Sequence, residues 1–160
     1  MPSSGSRCHG SCGTLLNTLG EVHRAAGDRT AARQAYREAL DEGRVLGEAT
    51  RFFPSYNLAK YELEEGWVDA AAARLDTLMQ WTAHEPWAWL EGTLRLARLT
   101  VHMARDDHAA FANDFERGLA QVDRVRGVDE TLRALVRAAL AEAERRGWEL
   151  GEQARGGLDL

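Results

Sequence analysis

Apolar side chains recur every three or four residues along most of the chain, in segments that end at glycine. The stretch 19–40, "LGEVHRAAGDRTAARQAYREAL", shows the pattern most clearly. One apolar run ends near Ala26, Gly27 breaks it, and Asp28 can cap the run that follows. This spacing is typical of amphipathic helices, and no segment alternates apolar and polar residues as a strand would. The sequence therefore predicts an all-α fold.

Capping residues and helix breakers predict where the helices begin and end. Thr14 is the predicted N-cap of the first helix, and the second helix runs to about Thr50. Gly43 and Gly47 lie inside that second helix, where they either permit a close helix contact or mark a bend. The later boundaries are Pro54, Gly66, Pro86, Asp129 or Thr131, and Gly147. An eighth helix can begin after Gly147.

The helix pairs resemble one another as sequence, with a period of about 40 residues. A shift from residues 19–40 to the next unit places Leu19 on Leu58 and Gly27 on Gly66. A second shift sets His23 opposite His102. Self-similarity at this period predicts a solenoid, in which each unit buries its apolar side against the next.

The first unit resembles the tetratricopeptide repeat, and the second and third units match it less closely. The residues that carry this resemblance are Leu19, Gly20, His23, Gly27, Ala32, Tyr36 and Ala39. The resemblance implies a right-handed α-solenoid of antiparallel helix pairs, with about 3 to 3.5 repeats and 7–8 helices. Long, degenerate repeats of this kind are similar to those of large bacterial signalling proteins.

The predicted organisation is a single helical repeat domain over residues 14–155. Its units span about 14–50, 54–83, 86–124 and 129–155. A flexible Gly/Ser-rich leader is expected over residues 1–13, and a short flexible tail over residues 156–160.

Composition and charge narrow the classes of partner. Charged residues make up 28% of the chain, and the net charge of −5 argues against nucleic acid as a ligand. No apolar run approaches the roughly 20 residues that span a bilayer. The N-terminus lacks the apolar stretch of a signal peptide, so no membrane association and a cytoplasmic location are expected.

The string "HMARDDH" is the most site-like in the sequence, because His102, Asp106 and His108 could bind a metal or move protons. A helical metal-dependent enzyme that uses this cluster is one alternative function. The structural interpretation is favoured, since His102 repeats His23 in phase and Asp107 is placed to cap a helix. We therefore expect no catalytic residue, no cofactor and no metal.

The two cysteines of the chain, Cys8 and Cys12, lie in the predicted leader with a histidine between them. This spacing could contribute to a metal site, but a closed zinc site needs four ligands. An incidental role is therefore favoured. The role of Trp81, Trp87 and Trp89 is left open: they either fill the joints between units or form a docking surface.

The tetratricopeptide resemblance implies a function in protein–protein interaction, through a concave groove that holds a peptide or a partner helix. The groove positions that it implies are Asn17, Glu21, Arg24, Tyr56, Lys60, Glu64, Leu96, Thr100 and Met103. The predicted function is a non-catalytic scaffold for a protein or peptide partner. A second alternative is a self-associating repeat fragment of a larger bacterial regulator, which could form a homo-oligomer, because a solenoid without a polar capping helix leaves an apolar end open.

Overall fold

The computed structural model describes residues 9–46, 48–83, 88–122 and 130–149. Across these ranges the chain forms seven helices and no strand, which confirms the all-α prediction. The helices are α1 His9–Ala25, α2 Arg29–Leu46, α3 Glu48–Glu64, α4 Val68–Thr82, α5 Ala88–Ala104, α6 His108–Val122 and α7 Glu130–Arg145. None of these seven helices is long and apolar enough to cross a membrane.

Three helix boundaries differ from the sequence predictions. Helix α2 ends at Leu46, four residues before the predicted end at Thr50. Helix α1 begins at His9, five residues before the predicted cap at Thr14. Helix α3 begins at Glu48, so Pro54 lies inside it instead of opening it. The nitrogen of Pro54 has no hydrogen to donate, so α3 lacks the backbone hydrogen bond from residue 54 to the carbonyl of Thr50 in its first turn. Helix α3 nevertheless continues to Glu64.

Gly43 permits a close approach between α2 and α3, which is one of the two roles that the sequence left open. A Cβ atom at Gly43 would lie 2.5 Å from Cγ of Arg51 and 3.6 Å from its Cα. A side chain at this point of α2 would have to displace the side chain of Arg51 on α3. Gly47 lies outside the described residues.

Four helix ends share one backbone motif at a period of about 40 residues. After α1, α3, α5 and α7, a residue with positive φ closes the helix: Gly27, Gly66, Asp106 and Gly147. At the first of these turns, the Gly27 amide donates to the carbonyl of Arg24 and the Asp28 amide donates to that of His23. The other three turns repeat both bonds, which is the Schellman motif. Their spacings are 39, 40 and 41 residues (27 to 66, 66 to 106 and 106 to 147), as a helical repeat requires.

Aspartates cap the helices that follow the first and third of these turns. Oδ1 of Asp28 accepts a hydrogen bond of 3.0 Å from the amide of Ala31 at the start of α2. Oδ1 of Asp107 accepts the equivalent bond, also 3.0 Å, from Ala110 at the start of α6. These bonds confirm both predicted caps, and each satisfies a donor that the helix leaves unpaired.

The chain divides into two compact units, residues 1–61 and 62–160. In the first unit α1 packs on α2. A buried apolar cluster joins Ala32 and Tyr36 of α2 to Leu58 and Tyr61 of α3. The prediction of a single repeat domain stays a prediction.

The second unit is built around α5, which contacts α4, α6 and α7. Its largest fully buried side chains are Leu75, Leu78, Leu94, Leu96, Leu99, Phe111, Leu132 and Val136. Trp148, in the turn after α7, packs its ring against the rings of His108 and Phe111 on α6, with centroids 5.0 and 5.4 Å apart. These contacts hold the end of α7 against α6.

Candidate interaction surface

One face of α1 is apolar and exposed. It is formed by Cys12, Leu15, Leu19 and Val22 of α1 together with Ala26, in the turn directly after the helix; we call these five residues the α1 stripe, and all five are exposed. The three large side chains retain 68%, 44% and 58% of their accessible surface, in the order Leu15, Leu19 and Val22. The residue spacing of three, four, three and four is that of a coiled-coil seam. The stripe extends about 21 Å along the helix at 1.5 Å per residue.

The opposite face of α1 packs inside the first unit. Gly20 lies against Tyr36, where a Cβ atom would be 2.4 Å from the ring. The Tyr36 hydroxyl donates a hydrogen bond of 2.5 Å to Oε1 of Glu21, and Nη2 of Arg24 lies 3.1 Å from the other oxygen of Glu21. Burial and this bond to a carboxylate both raise the pKa of Tyr36, so its hydroxyl remains a donor.

The margins of the α1 stripe carry no Asp, Glu, Lys or Arg. Thr18 and Ala25 flank it on one side and are exposed, while Leu16 and His23 flank it on the other and are half-buried. The charged residues of α1, Glu21 and Arg24, lie on the packed side and pair with each other. The stripe is therefore an apolar surface whose flanking residues on α1 include no Asp, Glu, Lys or Arg.

In the first unit, the predicted groove residues are engaged in internal contacts. Oδ1 of Asn17 accepts a hydrogen bond of 3.0 Å from Nδ2 of Asn57, on α3. Glu21 and Arg24 form the pair described above. Tyr56 and Lys60 are buried, and only 3% of Lys60 is exposed. The ammonium group of Lys60 lies 4.8 Å from the centre of the Tyr56 ring. This is a cation–π contact within the helix.

In the second unit, the predicted groove residues differ in exposure. Leu96 and Met103 are buried, Thr100 is half-buried, and Glu64 is exposed. The Thr100 hydroxyl is buried and has no hydrogen-bond partner among the described residues. The groove that these nine residues are predicted to form for a partner stays a prediction.

The residues of the "HMARDDH" string each have a different partner. Nε2 of His102 lies 2.8 Å from Oδ2 of Asp114 on α6. Oδ1 of Asp106 accepts a bond of 2.8 Å from Arg146, and the His108 ring packs on Trp148. Over the described ranges no group of three His, Cys, Asp or Glu residues is arranged to hold a metal. Cys12 is exposed with a free thiol, and Cys8 lies outside those ranges.

Asp114 is the centre of a buried ion network in the second unit. Its carboxylate contacts three side chains of α5: Arg95 at 2.6 Å, Arg98 at 3.4 Å and His102 at 2.8 Å. Burial alone would raise the pKa of Asp114, but the bond with His102, the charge of Arg98 and the bond with Arg95 together lower it. Asp114 is therefore held as a carboxylate.

Glu91 extends this network toward the surface. Its carboxylate lies 2.6 Å from Arg95, and Arg117 approaches it to 3.8 Å. Burial opposes ionisation of Glu91, yet the hydrogen bond and charge of Arg95 keep its pKa below the ordinary value. The contacts of Asp114 with Arg95, Arg98 and His102 tie α5 to α6.

The aromatic residues near the predicted joints have different environments. Trp81 is half-buried, whereas the side chains of Trp87 and Trp89 lie outside the described residues. Phe52 is buried, and its neighbour Phe53 is 49% exposed, with the two rings edge to face.

The α1 stripe was not predicted as a site, because Leu19 is one of the residues that carry the tetratricopeptide resemblance, and each repeat unit is expected to bury its apolar side. A signal was present: five uncharged residues follow a strict three-and-four spacing with no Asp, Glu, Lys or Arg at the flanking positions. Periodicity alone could not tell which of the two apolar sides of α1 is covered. Comparison with models of protein families, with curated proteins and with solved structures finds no match to this chain.

Proposed function

We propose that this chain is a non-catalytic protein-interaction module that receives a helix or peptide of a protein partner. The observation that carries the proposal is the α1 stripe, in which Leu15, Leu19 and Val22 are 44–68% exposed on one helix face. Contiguous exposed apolar surface is costly in water and marks interaction sites. Here it lies on a helix whose other face is packed.

The scaffold that we propose is a tetratricopeptide-like array, a right-handed solenoid of antiparallel helix pairs that acts in the cytoplasm. Two observations support a repeated unit. The Schellman turns recur at 39 to 41 residues. Hydrogen-bonded side-chain pairs also recur one period apart: Glu62 bonds to Arg74 at 2.8 Å, and His102 bonds to Asp114 at 2.8 Å, and each pair is 12 residues apart in sequence.

The proposed mode of binding is helix against helix. A partner helix with apolar residues at the same three-and-four spacing can place them between the side chains of the stripe. The predicted groove positions on α1 support this choice indirectly, because Asn17, Glu21 and Arg24 already bond to residues of their own unit. A groove contact would have to break those bonds, whereas the stripe is open.

A peptide-display selection tests the proposal without knowledge of the natural partner. Random helical peptides are selected on the immobilised wild-type chain at nanomolar concentration, and binding is then compared on Leu15→Glu and Val22→Glu. We expect selected peptides to carry apolar residues at three-and-four spacing, and to lose about tenfold or more in affinity on either variant, since each buries an unpaired carboxylate.

Phe53→Glu is the matched control, because Phe53 is also a large exposed residue of the first unit but lies on α3, outside the stripe. Circular dichroism checks that all three variants keep their helix content. The proposal is wrong if the selection yields no binders, or yields binders that the stripe variants hold as tightly as the wild type.

A further inference from the structure

We infer that Lys60 is an acylation site that is closed in the folded chain, and that it reacts with activated acyl donors of the acyl phosphate class only when the fold opens around α3. This site goes beyond the proposed function, because it lies on α3 and does not depend on the α1 stripe. It gives a chemical role to the only lysine of the 160-residue sequence.

The sequence offers one side-chain amine. Every other residue among its 20 lysines and arginines is arginine. A guanidinium group is delocalised and stays protonated in proteins, so it has no free electron pair with which to attack an acyl donor. Acylation that forms a stable side-chain amide is therefore confined to Lys60.

This single amine is buried. Lysine side chains usually extend their ammonium group into water, and they are almost never fully covered. Only 3% of Lys60 is exposed, and every residue from 54 to 61 along α3 is buried with it. An acyl donor must bring its carbonyl carbon into contact with Nζ of Lys60. The folded chain leaves no approach for a molecule of that size, so the reaction has to wait until α3 is exposed.

The reaction at the opened site is an acyl transfer from an acyl phosphate. Nζ of Lys60 first gives a proton to solvent, and its electron pair then attacks the carbonyl carbon of the donor. A bond forms between Nζ and this carbon, while the bond between the carbon and the phosphate oxygen breaks. Phosphate leaves with the electron pair, and Nζ loses a second proton to solvent. The product is a neutral amide.

Acylation should oppose reclosure of the fold. In the folded chain Nζ of Lys60 lies 4.8 Å from the centre of the Tyr56 ring, and this cation–π contact is lost when the charge is removed. The acyl group also enlarges a side chain that is almost fully covered, and enlarging a packed side chain destabilises a fold. An opening of α3 is therefore recorded by the modification and then prolonged by it.

The rate of acetylation by acetyl phosphate tests the closed state. Arg37→Lys provides the matched control in the same molecule, because Arg37 is exposed on α2. Mass spectrometry of the peptides measures both rates, after hydroxylamine has removed acetyl groups from thiols and hydroxyls. We expect Lys60 to react about a hundredfold or more slowly than the lysine at position 37 in the folded chain, and equally fast in denaturing urea.

The rate at Lys60 should follow the opening equilibrium. A Cβ atom at Gly20 would lie 2.4 Å from the ring of Tyr36, which belongs to the buried cluster with Leu58 and Tyr61 of α3. Gly20→Ala should therefore accelerate acetylation of Lys60 about tenfold or more and leave the rate at position 37 unchanged. Urea below the unfolding midpoint tests the same dependence without a substitution in the core, and it should accelerate the reaction at Lys60 alone.

Two results overturn the closed site: Lys60 reacts as fast as position 37 in the folded chain, or its rate responds neither to Gly20→Ala nor to urea. Refolding tests the effect on reclosure. A chain acetylated in urea and then refolded should unfold at a lower urea concentration than a chain taken through the same steps without acetyl phosphate. Lys60→Arg, treated identically, should unfold as its untreated form does. An acetylated chain with an unchanged midpoint overturns the block on reclosure.

Discussion

His102 and Asp114 form a buried pair between α5 and α6, with Nε2 of the imidazole 2.8 Å from Oδ2 of the carboxylate. Glu62 and Arg74 form the equivalent pair between α3 and α4, at 2.8 and 3.0 Å, with the acidic partner on the first helix instead of the second. Each pair joins the last turn of one helix to the next helix. At this place in the helix pair, a carboxylate on one helix faces a nitrogen-bearing side chain on the other. The hydrogen bond between them forms whether the carboxylate lies on the first helix or on the second.

The Asp114 carboxylate should make folding stability depend on pH. Its folded pKa lies below its ordinary value of 3.8, so its contribution is present above that value and is lost as pH falls through the folded pKa. Asp114→Asn leaves Arg95, Arg98 and His102 without their shared anion. We expect a loss of about 3 kcal/mol at pH 7, measured by urea denaturation.

The difference in stability between wild type and Asp114→Asn should shrink as pH is lowered from 5 to below 3.8. Glu91 also has a lowered pKa and is present in both proteins, so it enters the comparison only through Arg95, which it shares with Asp114. A difference that stays constant down to pH 3 would show that Asp114 is not the source of the pH dependence.

The Glu62–Arg74 pair should show strong coupling in a double-mutant cycle. Only 8% of the Glu62 side chain and 26% of the Arg74 side chain are exposed. Arg74→Gln should cost about 2 kcal/mol, because it leaves a buried carboxylate without its cation. Glu62→Gln with Arg74→Gln should cost less than the sum of the two single variants, by about 1 kcal/mol or more.

The exposed pair between Arg105 and Asp69 is the control for that cycle, since Asp69 is almost fully exposed and the two side chains lie 3.1 Å apart. Its coupling energy should be below about 1 kcal/mol. Equal coupling in the two cycles would mean that burial does not strengthen the Glu62–Arg74 pair.

Two glycines of α1 should respond to alanine with opposite signs. At Gly20 a Cβ atom would lie 2.4 Å from the ring of Tyr36, which is fully buried, so Gly20→Ala should cost about 2 kcal/mol. At Gly13 the nearest atoms are 3.8 and 3.9 Å away. Gly13→Ala should therefore stabilise the fold by about 0.5–1 kcal/mol through helix propensity. Thermal and urea unfolding measure both changes.

A compensating change should rescue Gly20→Ala if the clash with the ring is the cause. The second repeat carries alanine and leucine, Ala59 and Leu75, at the positions that align with Gly20 and Tyr36. Gly20→Ala combined with Tyr36→Leu should therefore cost less than the sum of the two separate changes. Additive costs would locate the effect of Gly20→Ala elsewhere.

The helical character of the described ranges and the positions of the turns at 27, 66 and 147 could be predicted from sequence, because both depend on local signals. Periodic apolar residues favour helix, and Gly27, Gly66 and Gly147 accept the positive φ that closes one. Asp28 and Asp107 cap their helices through bonds that span three residues. None of these features requires knowledge of distant contacts.

The environment of α3 and the open side of α1 could not be predicted, because both depend on tertiary packing. Every residue from 54 to 63 is buried, including the charged residues Lys60 and Glu62. The polar residues of this helix therefore do not mark a solvent-exposed face, as they do in an amphipathic helix. Leu19 belongs to an apolar stripe whose spacing is that of a buried helix face, but Leu19 itself is 44% exposed. A pattern shows that a helix has an apolar face, and only the fold shows whether something covers it.

The third Schellman turn provides the last prediction, since it closes with Asp106 at φ 57° where the other three turns have glycine. Asp106→Gly and Asp106→Ala both remove the exposed ion pair with Arg146, so the difference between these two variants reports the backbone conformation alone. We expect the glycine variant to be more stable by about 1–2 kcal/mol, because an L side chain other than Asn or Asp is disfavoured at positive φ. Gly27→Ala should show a similar loss relative to the wild type, since a Cβ atom there meets nothing within 4 Å and only the conformation changes. Equal stability of the two Asp106 variants in urea would mean that the turn relaxes to negative φ when glycine is absent.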